Sequence, residues 1–243
     1  MPASCPSCGV ILAKVAQRLS EDVDEVNIGR TRSKSRNSAA EATVREGELS
    51  SLRMLLLNED AEVDPVTFWS RAVLWTLFGV WGIDLIAQDY RTGEIGASFI
   101  HRPLLIFHEA GHVIFGVLGE WLMMLGGTLG QLVMPAILGG ALLIKNRDPF
   151  GASIGLWFFG VSLLDIAPYM YDALHPQLML LSGTTGEDGG HDWIYLFSSV
   201  GQLAKAQHIG NLVHKLGAIT VLASMAWGGK VLWIQHARLS KGN

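Results

Sequence analysis

Phe107-His108-Glu109-Ala110-Gly111-His112-Val113 interrupts an apolar run that extends from Pro103 to Gly119. Three neighbouring ionisable side chains in such a run cost a few kcal/mol each near a bilayer centre, and they persist only where partners or a function hold them. Their spacing, His-Glu-x-x-His, points to the function. On a helix His108 and His112 stand at i and i+4 and project from one face about 6 Å apart. Two imidazoles so placed can share one zinc ion, Zn2+. Glu109, beside the first of them, is positioned to take a proton from a water that the metal acidifies. Glu109 is thus the candidate catalytic residue, and His108 and His112 are candidate metal ligands.

Outward from this motif the chain reads as a membrane body. The 243 residues are 49% hydrophobic and only 16% charged, against roughly 25% charged in soluble domains. Charge crowds into residues 1–66, which hold 8 of the 18 Lys/Arg and 11 of the 22 Asp/Glu. Beyond them, apolar runs at 67–88, 103–119, 121–144, 152–171 and 212–234 have lengths suited to a hydrocarbon core of about 30 Å. The expectation is an all-α polytopic membrane helix bundle of about five transmembrane helices over 67–243, preceded by a mostly irregular polar region, 1–66. The lipid bilayer is its first partner. Glycines 126, 127, 130, 139 and 140 in the third run suit close helix approach or a re-entrant break. A net charge of -4 and the absence of a basic face exclude nucleic acid as a partner.

The polar region holds Cys5-Pro6-Ser7-Cys8-Gly9, a knuckle whose thiolates could face a second metal ion. Such a pair fits a reducing compartment. Arg30 to Arg36 reads as solvated linker. Residues 41–58 have the spacing of a short amphipathic helix. No secretory leader is expected at the N-terminus, where the basic-then-apolar order is missing. Five crossings put Arg91, Arg102, Lys145, Arg147, Arg238 and Lys241 on one side, which the positive-inside rule makes cytoplasmic. That sends the knuckle to the other side, in conflict with its chemistry.

A zinc site needs a third protein ligand and an open position. The candidates are Asp165, Asp172, His191 and Asp192. At about 1.5 Å per residue, His108 and His112 lie about 10–15 Å from the side of Arg102, Asp165 about 20 Å and Asp172 about 30 Å. Depth favours Asp165. A re-entrant third run, or a loop after residue 172 that dips back, brings Asp172 and the His191-Asp192 pair into reach instead. Trp69, Trp121, Trp193 and Trp233 fall at ends of apolar runs and read as interfacial indoles. His101, His175, His208, His214 and His236 read as solvated.

His108 to His112 in an apolar helix, followed by Gly126-Gly127-Thr128-Leu129-Gly130-Gln131-Leu132 and Met134-Pro135, resembles the site-2 protease superfamily of intramembrane zinc metallopeptidases. The glycine-rich run, Asp172-Ala173 and His191-Asp192-Trp193 together resemble, more narrowly, a group of little-characterised bacterial membrane proteins. The resemblance covers about residues 103–200. It implies peptide hydrolysis in or near the bacterial inner membrane, with a membrane-protein substrate, and it favours Asp172, His191 and Asp192 as site residues. Site-2 proteases carry an asparagine where Ser162 stands, and a Leu-Asp-Gly segment where Asp172 is followed by alanine. The competing expectation is a non-catalytic zinc-binding subunit or scaffold whose partner subunits form a larger membrane complex. Glu109 discriminates, because a structural metal needs no proton acceptor beside its first ligand.

Overall fold

The computed structural model describes residues 17–20, 45–58, 63–181 and 183–241. Cys5, Cys8 and the basic run 30–36 lie outside the described residues. The chain divides into two compact units, Met1–Arg53 and Met54–Asn243. In the first, residues 17–20 and the start of helix α1 (45–57) are helical and exposed. The second holds the apolar helices and the candidate site. The described residues are helical with no strand.

Helix α2 (Pro65–Ala87) starts sharply because Asp64 accepts hydrogen bonds from the backbone N–H of Val66 and Thr67, each 3.0 Å, and Pro65 occupies the first turn. Two short 3-10 turns, Tyr90–Thr92 and Glu94–Ala97, lead to α3 (His101–Gly116). After a tight connection come α4 (Glu120–Ile144) and α5 (Pro149–Asp172). An irregular segment leads to the eight-residue α6 (Asp192–Ser199), and α7 (Ala206–Leu239) completes the bundle.

Contacts fix the direction of each helix. Arg71 near the start of α2 is 3.1 Å from Asp148 at the start of α5, and Phe68 packs on His236 near the end of α7. Farther along α2, Gly82 meets Trp157 and Val221, and Trp75 Nε1 donates to the Met225 carbonyl. Hence α2 and α5 run parallel and α7 runs back between their ends. Gly139 against Gly155, and Gln131 against Ser162 and Asp165, make α4 antiparallel to α5. Gly111 against Gly126, and Phe107 against Gly130, make α3 antiparallel to α4.

It follows that α3 runs in the same direction as α2, although it comes directly after it. The segment 88–100 therefore folds back into the bundle. Ile95, Ile100 and Leu104 lie in the core with Leu85, Trp157, Val161 and Leu164, and His101 opens α3 beside Asp165, in the interior. At 16 residues, α3 is about 24 Å long, short of a hydrocarbon core of about 30 Å. Four helices, α2, α4, α5 and the span Leu203–Leu239 containing α7, are long and apolar enough to cross a membrane. The sequence reading expected about five, and α3 is the difference. An apolar run that enters the bundle from within looks, in composition, like one that crosses.

The even number of long helices returns the chain to the end where α2 begins. Lys145, Arg147, Arg238 and Lys241 gather at that end, where the Arg147 carbonyl accepts from Asn58 Nδ2 and Leu57, Val63 and Leu239 pack on the cluster of Phe68, Phe150, Val231 and Leu232. Arg91 lies at the opposite end, where its neighbour Tyr90 bonds Asn211 and meets Tyr171 edge to face. Arg102 is inside α3. The expected one-sided cluster is therefore split.

Packing relies on small residues because lipid tails are as apolar as leucine and give helices no hydrophobic reason to associate. Gly160 and Gly217 bring α5 and α7 backbone to backbone. The outward rows Val73, Leu77, Val80 on α2 and Leu212, Leu216, Ile219 on α7 are exposed, an apolar perimeter of the kind lipid covers. Four such helices are compatible with an integral membrane protein. Of the four tryptophans read as interfacial, Trp69, Trp121 and Trp233 are exposed. Trp193 is not, being 8% exposed in a cluster with Leu196 and Phe197.

Candidate metal centre

The motif helix meets α4 at its glycines. Any side chain at Gly111 would collide with the Gly126 carbonyl, and one at Gly130 with that of Phe107, so α3 and α4 touch along their backbones. The glycine run thus serves close approach and not a break, since α4 is one continuous helix through Pro135. This approach sets His108 and His112 against Gly127. A Cβ on Gly127 would stand 2.5 Å from His108 Nε2 and 2.6 Å from His112 Nε2. Both nitrogens therefore face a hollow that exists because residue 127 has no side chain. Gly127 lies seven residues into α4, about 10 Å from that helix's start.

Asp192 reaches the same hollow from the far side. Gly189 and Gly190 have φ of 101° and 78°, in the region that favours glycine. The chain turns there, and His191 caps α6 by accepting the Ile194 N–H at its Nδ1. Asp192 at the first position of α6 then projects inward, with Oδ2 3.1 Å from His108 Nε2 and 3.3 Å from His112 Nε2. Its backbone N–H donates to the Tyr169 hydroxyl at 3.0 Å. Its side chain is 9% exposed and that of His108 10%.

The donor set fits a divalent cation. His112 Nδ1 lies 2.7 Å from the Met123 carbonyl, which can only accept, so Nδ1 carries the proton and donates. In the neutral ring Nε2 then presents a lone pair to Asp192 Oδ2, another acceptor. Two acceptors at 3.3 Å repel unless positive charge lies between them, and Oδ2 is also shared with His108. Either a proton on each Nε2 or one cation shared by all three groups answers these contacts. Ligands about 2.0–2.1 Å from a tetrahedral zinc stand about 3.3 Å from one another, which matches the two spacings. A ligand histidine that donates its other N–H to a backbone carbonyl is the usual support for such a site. The ligand atoms of His108, Glu109 and His112 lie within 4.8 Å of one another and could hold a metal ion.

Glu109 is exposed and makes no hydrogen bond or ion pair among the described residues. It borders a cavity of about 580 Å³ that also takes in His108, His112, Asp192, Tyr169 and the apolar strip Leu178 to Leu181. The carboxylate faces open space beside the two imidazoles, as a proton acceptor requires.

The other candidates for a third ligand go elsewhere. Asp165 accepts from Gln131 Nε2 at 2.7 Å and lies 2.8 Å from His101 Nδ1. It sits two helical turns along α3 from the metal hollow. The depth estimate that favoured it took Arg102 to mark the membrane surface, whereas α3 begins inside the bundle. Asp172 accepts the backbone N–H groups of Gln177 and Leu178 and so closes the end of α5. His191, its side chain fully buried, stacks on Tyr169 at 4.1 Å and turns Nε2 toward Asp172 Oδ2 at 3.5 Å. It braces the turn and does not face the hollow. His101, read as solvated, is instead paired with Asp165. Gly127, Met123 and Tyr169 were missed by the sequence reading, and only the glycine-rich run hinted at one of them.

No protein-family model, curated protein or solved structure matches the chain.

Proposed function

We propose that this protein is an intramembrane zinc metallopeptidase that hydrolyses a peptide bond in or near the lipid bilayer, with His108, His112 and Asp192 as zinc ligands and Glu109 as general base. The observation that carries the reading is the convergence of Asp192 Oδ2 on the two Nε2 atoms, with an unpaired carboxylate beside them. Zinc bound there supplies Lewis acidity, bringing the pKa of a water toward about 7 and polarising the scissile carbonyl. The Glu109 carboxylate accepts the proton of the attacking water and delivers it to the departing amine nitrogen as the C–N bond breaks. Tyr169 and Met123 hold Asp192 and His112 in place. Of the residues that the resemblance to site-2 proteases favours beyond the motif, only Asp192 enters this assignment; the same resemblance suggests a membrane-protein substrate and a bacterial inner membrane.

Sidedness follows from the charges. Lys145, Arg147, Arg238 and Lys241 mark the end where α2 begins as cytoplasmic. The metal hollow, nearer the other end, then faces the exterior leaflet. Four crossings would put the chain that enters α2 on that same cytoplasmic side, the side that the chemistry of the cysteine knuckle favours. A structural zinc in a scaffold subunit remains the competing function, and the exposed, unpaired Glu109 counts against it.

The test is zinc content and hydrolysis of an unfolded apolar polypeptide by detergent-purified protein, wild type against Glu109→Gln. The variant should keep its zinc and lose about 10²–10⁴-fold in rate. Equal rates would refute the general-base role.

A further inference from the structure

The metal hollow occupies one part of the cavity, and a second polar station lines another. Asp165, with a side chain 5% exposed, is held among apolar helices by two donors from two different elements. Gln131 Nε2 of α4 donates to Oδ2 at 2.7 Å, and His101 Nδ1 of α3 lies 2.8 Å from Oδ1. Ser162 in turn donates to the Gln131 carbonyl at 3.1 Å. Only the histidine reaches outward, being 31% exposed. With Nδ1 committed to the carboxylate, Nε2 is the ring atom left for whatever fills the cavity, and His101, Gln131 and Asp165 line the same cavity as His108, Glu109, His112 and Asp192.

His101 and His108 are seven residues apart on one helix, two turns and about 10 Å along its axis. An extended peptide rises about 3.3 Å per residue. A chain whose scissile bond lies at the metal hollow therefore presents, about three residues away, its backbone to His101. The apolar strip Leu178 to Leu181 borders the same space and offers apolar side chains a wall.

Resting on the metallopeptidase reading, we propose that His101, oriented by Asp165 and Gln131, is a substrate-binding residue. It hydrogen-bonds the backbone of an extended, apolar peptide about three residues from the bond that is cut. A peptide has a partner for Nε2 in either state of the ring, an N–H for the neutral imidazole and a C=O for the imidazolium. The bond is worth about 3- to 10-fold in affinity, the net contribution of one hydrogen bond.

Peptide hydroxamates separate this station from the metal. Their hydroxamate grips zinc, a one-residue probe stops short of His101, and a four-residue leucine-alanine probe reaches it. Affinities are measured on zinc-loaded full-length protein for both probes, with chains built on either side of the zinc-binding group. In the wild type the longer probe should bind tighter. His101→Ala should remove about 3- to 10-fold of that gain and leave the short probe and the zinc content unchanged. His101→Asn keeps a donor for Asp165 while lacking anything at the place of Nε2, and it should lose the same gain. If His101→Asn keeps the full gain, or if His101→Ala weakens both probes equally, the residue only pins α3 in place and the proposal fails. If zinc-loaded wild type binds neither probe, the metallopeptidase reading fails and takes this one with it.

Discussion

Gly127→Ala puts the account under the most specific strain. The added Cβ would stand 2.5 and 2.6 Å from the two Nε2 atoms, and ordinary contact begins at 3.4 Å, so the rings must withdraw by about 0.9 and 0.8 Å. Imidazoles are ends of rotatable side chains and can do so. The fold then bears an overpacking cost of about 1–3 kcal/mol, offset by about 0.8–1 kcal/mol for alanine over glycine within a helix. The metal site has no such latitude. Its nitrogens converge on Asp192 Oδ2 at 3.1 and 3.3 Å, and displacing both should lower zinc affinity by at least about 100-fold, the upper range for losing a supporting contact alone. Gly111→Ala is the contrast, because its methyl meets the Gly126 carbonyl of the backbone, which cannot swing away. That variant should lose thermal stability more than Gly127→Ala does. Zinc titration against a competing chelator, with thermal unfolding in the same detergent, reads both quantities. A Gly127→Ala protein that binds zinc as the wild type does would refute the placement of the metal between those nitrogens.

Two further outcomes follow from the same geometry. Asp192→Asn should lose zinc, whereas Asp165→Asn and Asp172→Asn should retain it, with Asp172→Asn lowering thermal stability because the backbone N–H groups of Gln177 and Leu178 lose a charged acceptor; zinc loss from Asp165→Asn alone would reverse the assignment. Compartment-sensitive reporters fused after Asn243 and inserted in the connection between α4 and α5, near Asn146, should both report the cytoplasmic side, and one after Tyr90 the opposite side. A reporter after Tyr90 on the same side as those at Asn146 and Asn243 would restore a crossing by α3 and the count of five.

The motif itself was legible, because His108, Glu109 and His112 are local in sequence and their helical spacing fixes which face they share. Helix identity was legible for the same reason, since apolar run length maps onto α2, α4, α5 and α7. What sequence could not convey was direction. Apolar composition is the same for a helix that crosses and for one that starts beside Asp165, so α3 was counted as a crossing and its depth was measured from the wrong end. The third acidic partner lay 84 residues from His108, behind a loop whose Gly189 and Gly190 turn the chain back. Neither periodicity nor depth reports such a return. His101 was misread because a lone histidine at a helix end looks solvated until the tertiary fold sets Asp165 against it. The glycine-rich run was legible as a place of close helix approach, but which of its glycines faces the imidazoles depends on how α3 packs on α4, and Gly127 acts there by what it lacks.

The most direct measurement is zinc-edge X-ray absorption on detergent-purified protein carrying Cys5→Ser and Cys8→Ser, so that only the helical site can contribute. One zinc per chain, with a first shell of nitrogen and oxygen at about 2.0–2.1 Å that loses both imidazole scattering paths in a His108→Ala, His112→Ala variant, is the predicted result. A protein that stays free of zinc at saturating supply, or one whose zinc shell is unchanged in that variant, would contradict it.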